Sequence, residues 1–253
     1  MLGALRGRHF RPFVEHSDGT QTLYFSVYDV QSQMRTDRPD DLMLPHTRLM
    51  MGFLLFVPSP RHIAMVGLGG GSMAKFCHRH LPEARITVVE INPYVIALRD
   101  DFQVPTDDHR FQVRLQDAAV YVRSHAAGHD VLLVDGFTGA GLPANLCSAA
   151  FYHRCFQMLA PGGTMVVNLH SHHDEFVLHL LRLRDAFHGQ VMTVMDDVFG
   201  NVIAFAIKGF AARPLLANLS TCAETLPPDA WRQLKASFSS LRRSGSWSGH
   251  GGP

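Results

Sequence analysis

The sequence predicts an α/β protein built on a mostly parallel, seven-stranded sheet covered on both faces. Three observations carry that prediction. Short apolar runs alternate with helical spacings from His62 to Ile207, a glycine cluster follows the first of those runs, and 253 residues suit one main α/β domain with a small appendage. Hydrophobic residues make up 46% of the chain and charged ones 18%, a balance that packs a core and argues against extended disorder.

The elements follow in order. In residues 12–36, Leu23, Phe25 and Val27 alternate with Tyr24, Ser26 and Tyr28 behind the turn residues Ser17, Asp18 and Gly19, which predicts a small N-terminal β-hairpin. From Pro45 to Phe56, Leu49, Met50, Phe53, Leu54 and Phe56 fall at helical spacing behind a proline start, and Pro58 and Pro60 break the helix. The alternation then gives strands at His62–Gly67, Arg85–Glu90, Phe111–Leu115, Asp130–Asp135, Thr164–Leu169, Val191–Met195 and Val202–Ile207. Helices at Ser72–His80, Pro93–Asp101, Ala118–Ser124, Cys147–Leu159 and Asp174–Phe187 lie between them. Pro214–Arg243 is weaker, with an amphipathic helix around Asp229–Leu241, and the Gly/Ser-rich stretch Ser244–Pro253 is expected to be a disordered tail. The domain plan is therefore residues 1–44 as the β region, 45–210 as the α/β domain, 211–243 as a helical extension and 244–253 as the tail.

Charge narrows the function classes. The formal net charge is +1, with no clustered Lys and Arg to release counterions from phosphates, so nucleic acid is excluded as the expected partner and small molecules are favoured. Cys77, Cys147, Cys155 and Cys222 form no CxxC pair, and buried free thiols are expected. Met1–Arg11 holds three arginines but no apolar stretch, and the longest apolar run, Leu49–Val57, is less than half of the roughly 20 residues a membrane helix needs. Neither secretion nor a membrane is expected; a reducing cytoplasm is.

The strongest chemical signal is Gly67-Leu68-Gly69-Gly70-Gly71, directly after a predicted strand and directly before a predicted helix. Glycines let the backbone turn tightly and approach a ligand, and the helix N-terminus beyond them offers free N–H groups. Glu90 ends the next strand about 20 residues on, where a carboxylate can accept hydrogen bonds from both hydroxyls of a ribose; the alternative is a tight turn beside a solvated Glu. Asp117 follows the third strand and suits either an adenine amine or the N-cap of the next helix. Asp135 ends the fourth strand, an acid closing an otherwise apolar run, either functional or loop-capping. Sixteen histidines raise the question of a metal, but His170, His172 and His173 read as a polar loop and no ligand set can be named. The Met and Phe residues between Met50 and Phe56 read as core or as a subunit contact.

With these residues in view, the segment from about Pro45 to Ala206, roughly two thirds of the chain, resembles the aminopropyltransferase family of spermidine and spermine synthases. The resemblance implies a methyltransferase-like, Rossmann-like sheet preceded by a small β domain. It implies a donor-binding loop at Gly67, Gly69, Gly70 and Gly71, a ribose-binding Glu90, an adenine-binding Asp117 and a catalytic Asp135. Leu142-Pro143 to Phe151-Tyr152 resembles a family stretch ending in Phe-Tyr, and Leu159 to Gly163 resembles a turn shared with methyltransferases. The implied co-substrate is decarboxylated S-adenosylmethionine, with no prosthetic group or metal, and the implied partner is a small-molecule amine acceptor in polyamine biosynthesis.

Departures from the family pattern are specific. The family loop usually reads GGGDGG, and its Asp falls on Gly70. The family's D-S-S-D-P has its second acid replaced by Thr138, and its Tyr-His-Glu falls near His46-Thr47-Arg48. Each lost acid weakens the hold on a cationic acceptor. Two rivals follow: a methyl or aminocarboxypropyl transferase using intact S-adenosylmethionine, and a non-catalytic nucleoside-binding relative. The missing third glycine of G-x-G-x-x-G ranks dinucleotide oxidoreduction last. Exposed strand edges in the hairpin are expected to be covered, with a homodimer as the answer suggested by fold analogy.

Overall fold

A computed structural model describes residues 9–26, 29–125, 127–136, 143–196, 200–209, 215–244 and 246–247. The N-terminal region is a three-stranded antiparallel sheet of β1 (Phe13–Ser17), β2 (Thr20–Ser26) and β3 (Asp29–Arg35) in that order, one strand more than the expected hairpin. Asp18 and Gly19 turn β1 into β2 with φ of 49° and 72°, the left-handed pair that matches the twist of flanking strands. On the third strand Met34 is buried, as is Leu23 on β2, with Met34 opposite Gln21 and Leu23 opposite Ser32 in the register. Val27 and Tyr28, counted in the hairpin pattern, lie outside the described residues.

The predicted helix from Pro45 divides into α1 (Pro45–Met50) and a 3-10 turn at Met51–Leu55. Gly52 lies at the division, where a Cβ would come within 2.4 Å of Leu241 Cδ1, so a C-terminal helix packs directly on this backbone. The remaining elements are β4 (His62–Val66), α2 (Ser72–His80), β5 (Arg85–Glu90), α3 (Pro93–Ala97), β6 (Phe111–Leu115), α4 (Ala118–Ser124), β7 (His129–Val134), α5 (Ala149–Met158), β8 (Leu159–His170), α6 (Phe176–Ala186), β9 (Val191–Met195), β10 (Asn201–Ile207), α7 (Leu215–Thr225), α8 (Pro228–Ser244) and β11 (Ser246–Trp247). The helical extension thus holds two helices rather than one. Ser246 and Trp247, expected within a disordered tail, instead pair with Thr193 and Met192 of β9 and make the sheet eight-stranded; the rest of the tail beyond Trp247 lies outside the described residues.

The sheet order is β11-β9-β10-β8-β7-β4-β5-β6. Strands β6, β5, β4, β7 and β8 run parallel, and β10 lies antiparallel to both β8 and β9. Successive residues face opposite layers, which explains the unbroken apolar runs. Ile63, Met65, Val131, Leu133 and Val166 pack with residues of α2, α7 and α8, whereas Ala64, Val66, Leu132, Val134 and Met165 pack with residues of α4, α5 and α6. Each large side chain buried in this way contributes about 1.5–3 kcal/mol. From β4 the chain proceeds through β5 to β6 on one side, then crosses to β7 and β8 on the other. That reversal opens a crevice at the carboxyl ends of β4 and β7, the place where such sheets bind ligands. All four cysteines are buried and free, and no described helix is long and apolar enough to cross a membrane.

Candidate active site

A cavity of about 440 Å³ occupies that crevice, with strand ends of the main sheet as its floor and Gln31 and Ser32 of β3 in its wall. Its shape begins with the glycine loop. Gly67 leaves β4 at φ 93°, and a Cβ there would lie 2.2 Å from the backbone oxygen of Asp135, so only glycine lets the two strand ends approach. Gly67 and Gly69 line the cavity; Gly70 and Gly71, expected to bind the donor with them, do not. Gly70 backs onto other elements instead, where a Cβ would lie 2.7 Å from both Phe102 Cδ1 and Ser32 Oγ. Gly71 is the N-cap of α2 and supplies no side-chain cap, leaving the first N–H groups of that helix open.

Glu90 is buried at the end of β5. One carboxylate oxygen accepts from the Leu68 amide at 2.9 Å and the other from the Asn92 amide at 2.7 Å, which ties the glycine loop to the start of α3. Burial raises its pKa above the ordinary glutamate value, against the opposing pull of those amides. Asp117 takes the N-cap alternative: Oδ1 accepts from the Val120 amide at 3.1 Å as the N-cap of α4, while Oδ2 accepts from Asn145 Nδ2 at 3.2 Å at the cavity wall.

Asp135 follows β7. Its Oδ1 accepts from Asn168 Nδ2 at 3.0 Å, and Nε2 of His46 lies 3.7 Å from its Oδ2. Asn168 is nearly wholly buried, and its own Oδ1 has no protein partner, nor has Nδ1 of His46. Both residues line the cavity beside Asp135. Glu90, Asp117 and Asp135 therefore converge on one cavity, with the first two on one side of the glycine loop and Asp135 on the other. The arrangement suits a nucleoside held by two acids and a cationic or amine group met by the third.

The cavity also contains residues that the sequence reading did not assign: His46, Asn168, Asn92, Asn145 and Ser32. Asn168 left a signal as a lone amide after the apolar run Met165-Val166-Val167, and His46 as the position where the family's Tyr-His-Glu falls. His170, from the polar loop set aside as a metal site, lines the cavity as well. Among the described residues no cluster of His, Cys, Asp or Glu has the arrangement of a metal site. Thr138 and the start of the Leu142–Tyr152 stretch lie in residues 137–142, outside the described residues.

Residues 43–198 match the family described as Spermine/spermidine synthase domain. Over 200 residues the chain is 38% identical to a polyamine aminopropyltransferase of Chromobacterium violaceum, covering 78% of this chain and 77% of that protein. A polyamine aminopropyltransferase of Neisseria meningitidis is 35% identical over 208 residues, 81% of this chain and 78% of its own. The crystal structure of a probable spermidine synthase from Corynebacterium glutamicum shares the fold at a TM-score of 0.71 and 22% identity, covering 96% of this chain and 95% of that one. The match spans every strand from β4 to β9 and all three convergent acids, and with this extent of identity the chain belongs to the spermine/spermidine synthase family.

Proposed function

We propose that the protein transfers an aminopropyl group from decarboxylated S-adenosylmethionine to an amine acceptor in polyamine biosynthesis. The observation that carries this reading is the convergence of Glu90, Asp117 and Asp135 on one cavity around the glycine loop. Glu90 and Asp117 would hold ribose and adenine, leaving the sulfonium near Gly67 and Gly69. The acceptor amine, brought against Asp135, attacks the methylene beside sulfur. A carbon–nitrogen bond forms, the carbon–sulfur bond breaks, and its electron pair passes to sulfur, which leaves as the neutral thioether methylthioadenosine. The proton lost by the amine goes to Asp135, oriented by Asn168 and His46. The sulfonium is already activated, so alignment and proton removal are the protein's main contributions. The names of the family relatives support the same chemistry. A cytoplasmic location accords with four reduced thiols.

Chromatographic detection of methylthioadenosine with decarboxylated donor and 1,4-diaminobutane tests this directly. Asp135→Asn is expected to lower kcat by about 10²–10⁴-fold, the range for a general base, while donor affinity stays close to wild type. Equal turnover in that variant would remove Asp135 from the mechanism.

One observation favours a second reading. The loop has no carboxylate at Gly70, and Phe102 and Ser32 fill the space a side chain would need, so nothing there repels the carboxylate of intact S-adenosylmethionine. Methyl or aminocarboxypropyl transfer would then follow. Because Gly70→Asp would clash with Phe102, comparing the two donors on the wild-type protein is the cleaner test.

A further inference from the structure

The residues just ahead of β1 have no part in the mechanism above, yet two of them meet the cavity. His9 and Phe10 line it, and the Phe10 side chain is mostly solvent-exposed at its mouth, an aromatic ring with little protein against it. The backbone there is fixed rather than draped. Asn92 Nδ2 donates to the Phe10 carbonyl at 2.9 Å, and the Arg11 guanidinium lies 4.8 Å from the centre of the Tyr94 ring. Asn92 joins this contact to the acid that would hold the ribose, because its backbone N–H donates to Glu90 at 2.7 Å. Its side-chain oxygen meanwhile caps α3 by accepting from the Tyr94 amide at 3.0 Å. One buried amide side chain therefore sets the start of α3 and the path of the strap, and its backbone helps hold Glu90.

We propose that His9–Arg11 is a donor-binding strap, in which Phe10 packs on the face of the nucleoside base and Asn92 acts as the positioning residue that holds it there. The proposal rests on reading the cavity as a nucleoside site. Phe10 presents exposed ring surface beside the cavity that a flat ligand bound there would cover. Base–aromatic stacking supplies that cover without reading the base, while Asp117 at the cavity wall supplies a hydrogen-bond acceptor for it. Because only Pro12 separates Arg11 from Phe13, whose ring stacks on Tyr24 with centroids 5.1 Å apart, the strap is anchored at both ends.

Calorimetric titration of methylthioadenosine into the full chain tests the strap without requiring turnover. Phe10→Ala is expected to weaken binding about tenfold, the lower part of the range for base–aromatic stacking, and Phe10→Trp to restore it. Val177→Ala, exposed on α6 and outside the cavity, should leave the Kd within about twofold. Asn92→Ser keeps a capping oxygen for α3 but cannot reach the Phe10 carbonyl. It should weaken binding similarly alone and add little in the Phe10→Ala background, the non-additivity expected of residues acting as one unit. A Kd for Phe10→Ala within twofold of wild type, or additive losses in the double variant, would overturn the proposal and leave the cavity's nucleoside reading intact. A wild-type protein that binds no methylthioadenosine would overturn both.

Discussion

Glu90 meets two opposed demands, since burial disfavours its charge while the bond it would make to ribose hydroxyls needs that charge. Its raised pKa comes first from lost solvation, so the folded state holds a proton above the pH at which the unfolded chain releases it. The sign is definite: ionised Glu90 costs stability, and that cost appears as pH rises from the ordinary glutamate range through the raised value. Donor affinity should move the opposite way, weakening as pH falls through the same window. Because both Glu90 oxygens accept from backbone amides, Glu90→Gln, whose NH2 cannot accept, is expected to lose about 1–3 kcal/mol of stability and to bind donor about tenfold or more weakly; paired calorimetry and thermal melts check both halves. Asp117 permits a cleaner separation. Asp117→Ser retains an N-cap for α4, so stability should change by less than about 0.5 kcal/mol while donor affinity falls. Asp117→Ala should lose both, with about 1 kcal/mol from the cap. Glu90 and Asp135 were legible in the sequence because each terminates an apolar run, and Asp117 because it directly precedes a helical spacing. Phe10 was not, because no periodicity marks it; His46 left only the family's Tyr-His-Glu as its signal, and Asn92, two residues beyond Glu90, shows its role only through its contact with the distant Phe10 carbonyl.

At the scale of elements, the strand-loop-helix from β4 to α2 was readable almost to the residue, since glycine loops are dictated by local backbone needs. Gly67→Ala would drive a methyl group into the Asp135 carbonyl and force a strained φ, with an expected loss of about 2 kcal/mol or more, measurable by urea unfolding. A stable Gly67→Ala protein with normal donor binding would contradict the close approach of β4 and β7. Boundaries elsewhere shifted for tertiary reasons. Helix α3 ends at Ala97 rather than Asp101, with Lys75 donating at 2.7 Å to the carbonyl of Phe102 just beyond it. Strand β8 begins at Leu159, where Pro161 and two glycines masked its extended start, and β11 exists because β9 offers a free edge.

Across the whole molecule, the small sheet is tied to the main one by contacts that a residue pattern does not announce. Ser32 and Ser72 hydroxyls lie 3.3 Å apart, Arg79 pairs with Asp40 at 2.8 Å, and Lys75 reaches both Met34 Sδ at 3.0 Å and Phe102. Lys75 is buried, and lost solvation lowers its pKa from 10.5 to about 8, only partly offset by Asp40. Between those values the unfolded chain holds more protons than the folded one, so this group's contribution to stability rises with pH. Lys75→Met removes that slope. Relative to the variant, wild type should gain roughly 3 kcal/mol between about pH 7.5 and 10.5, read from chemical unfolding at each pH. Parallel profiles would show that Lys75 carries no such shift.

The central claim is aminopropyl transfer at a cavity where Glu90 and Asp117 hold the donor and Asp135 activates the acceptor. Mass spectrometry of products after incubation with 1,4-diaminobutane and, separately, each form of the donor tests it most directly. The account predicts methylthioadenosine and an acceptor lengthened by a three-carbon amine from the decarboxylated donor, with both lost in Asp135→Asn. S-adenosylhomocysteine formed from the intact donor, or donor binding without any product, would contradict it.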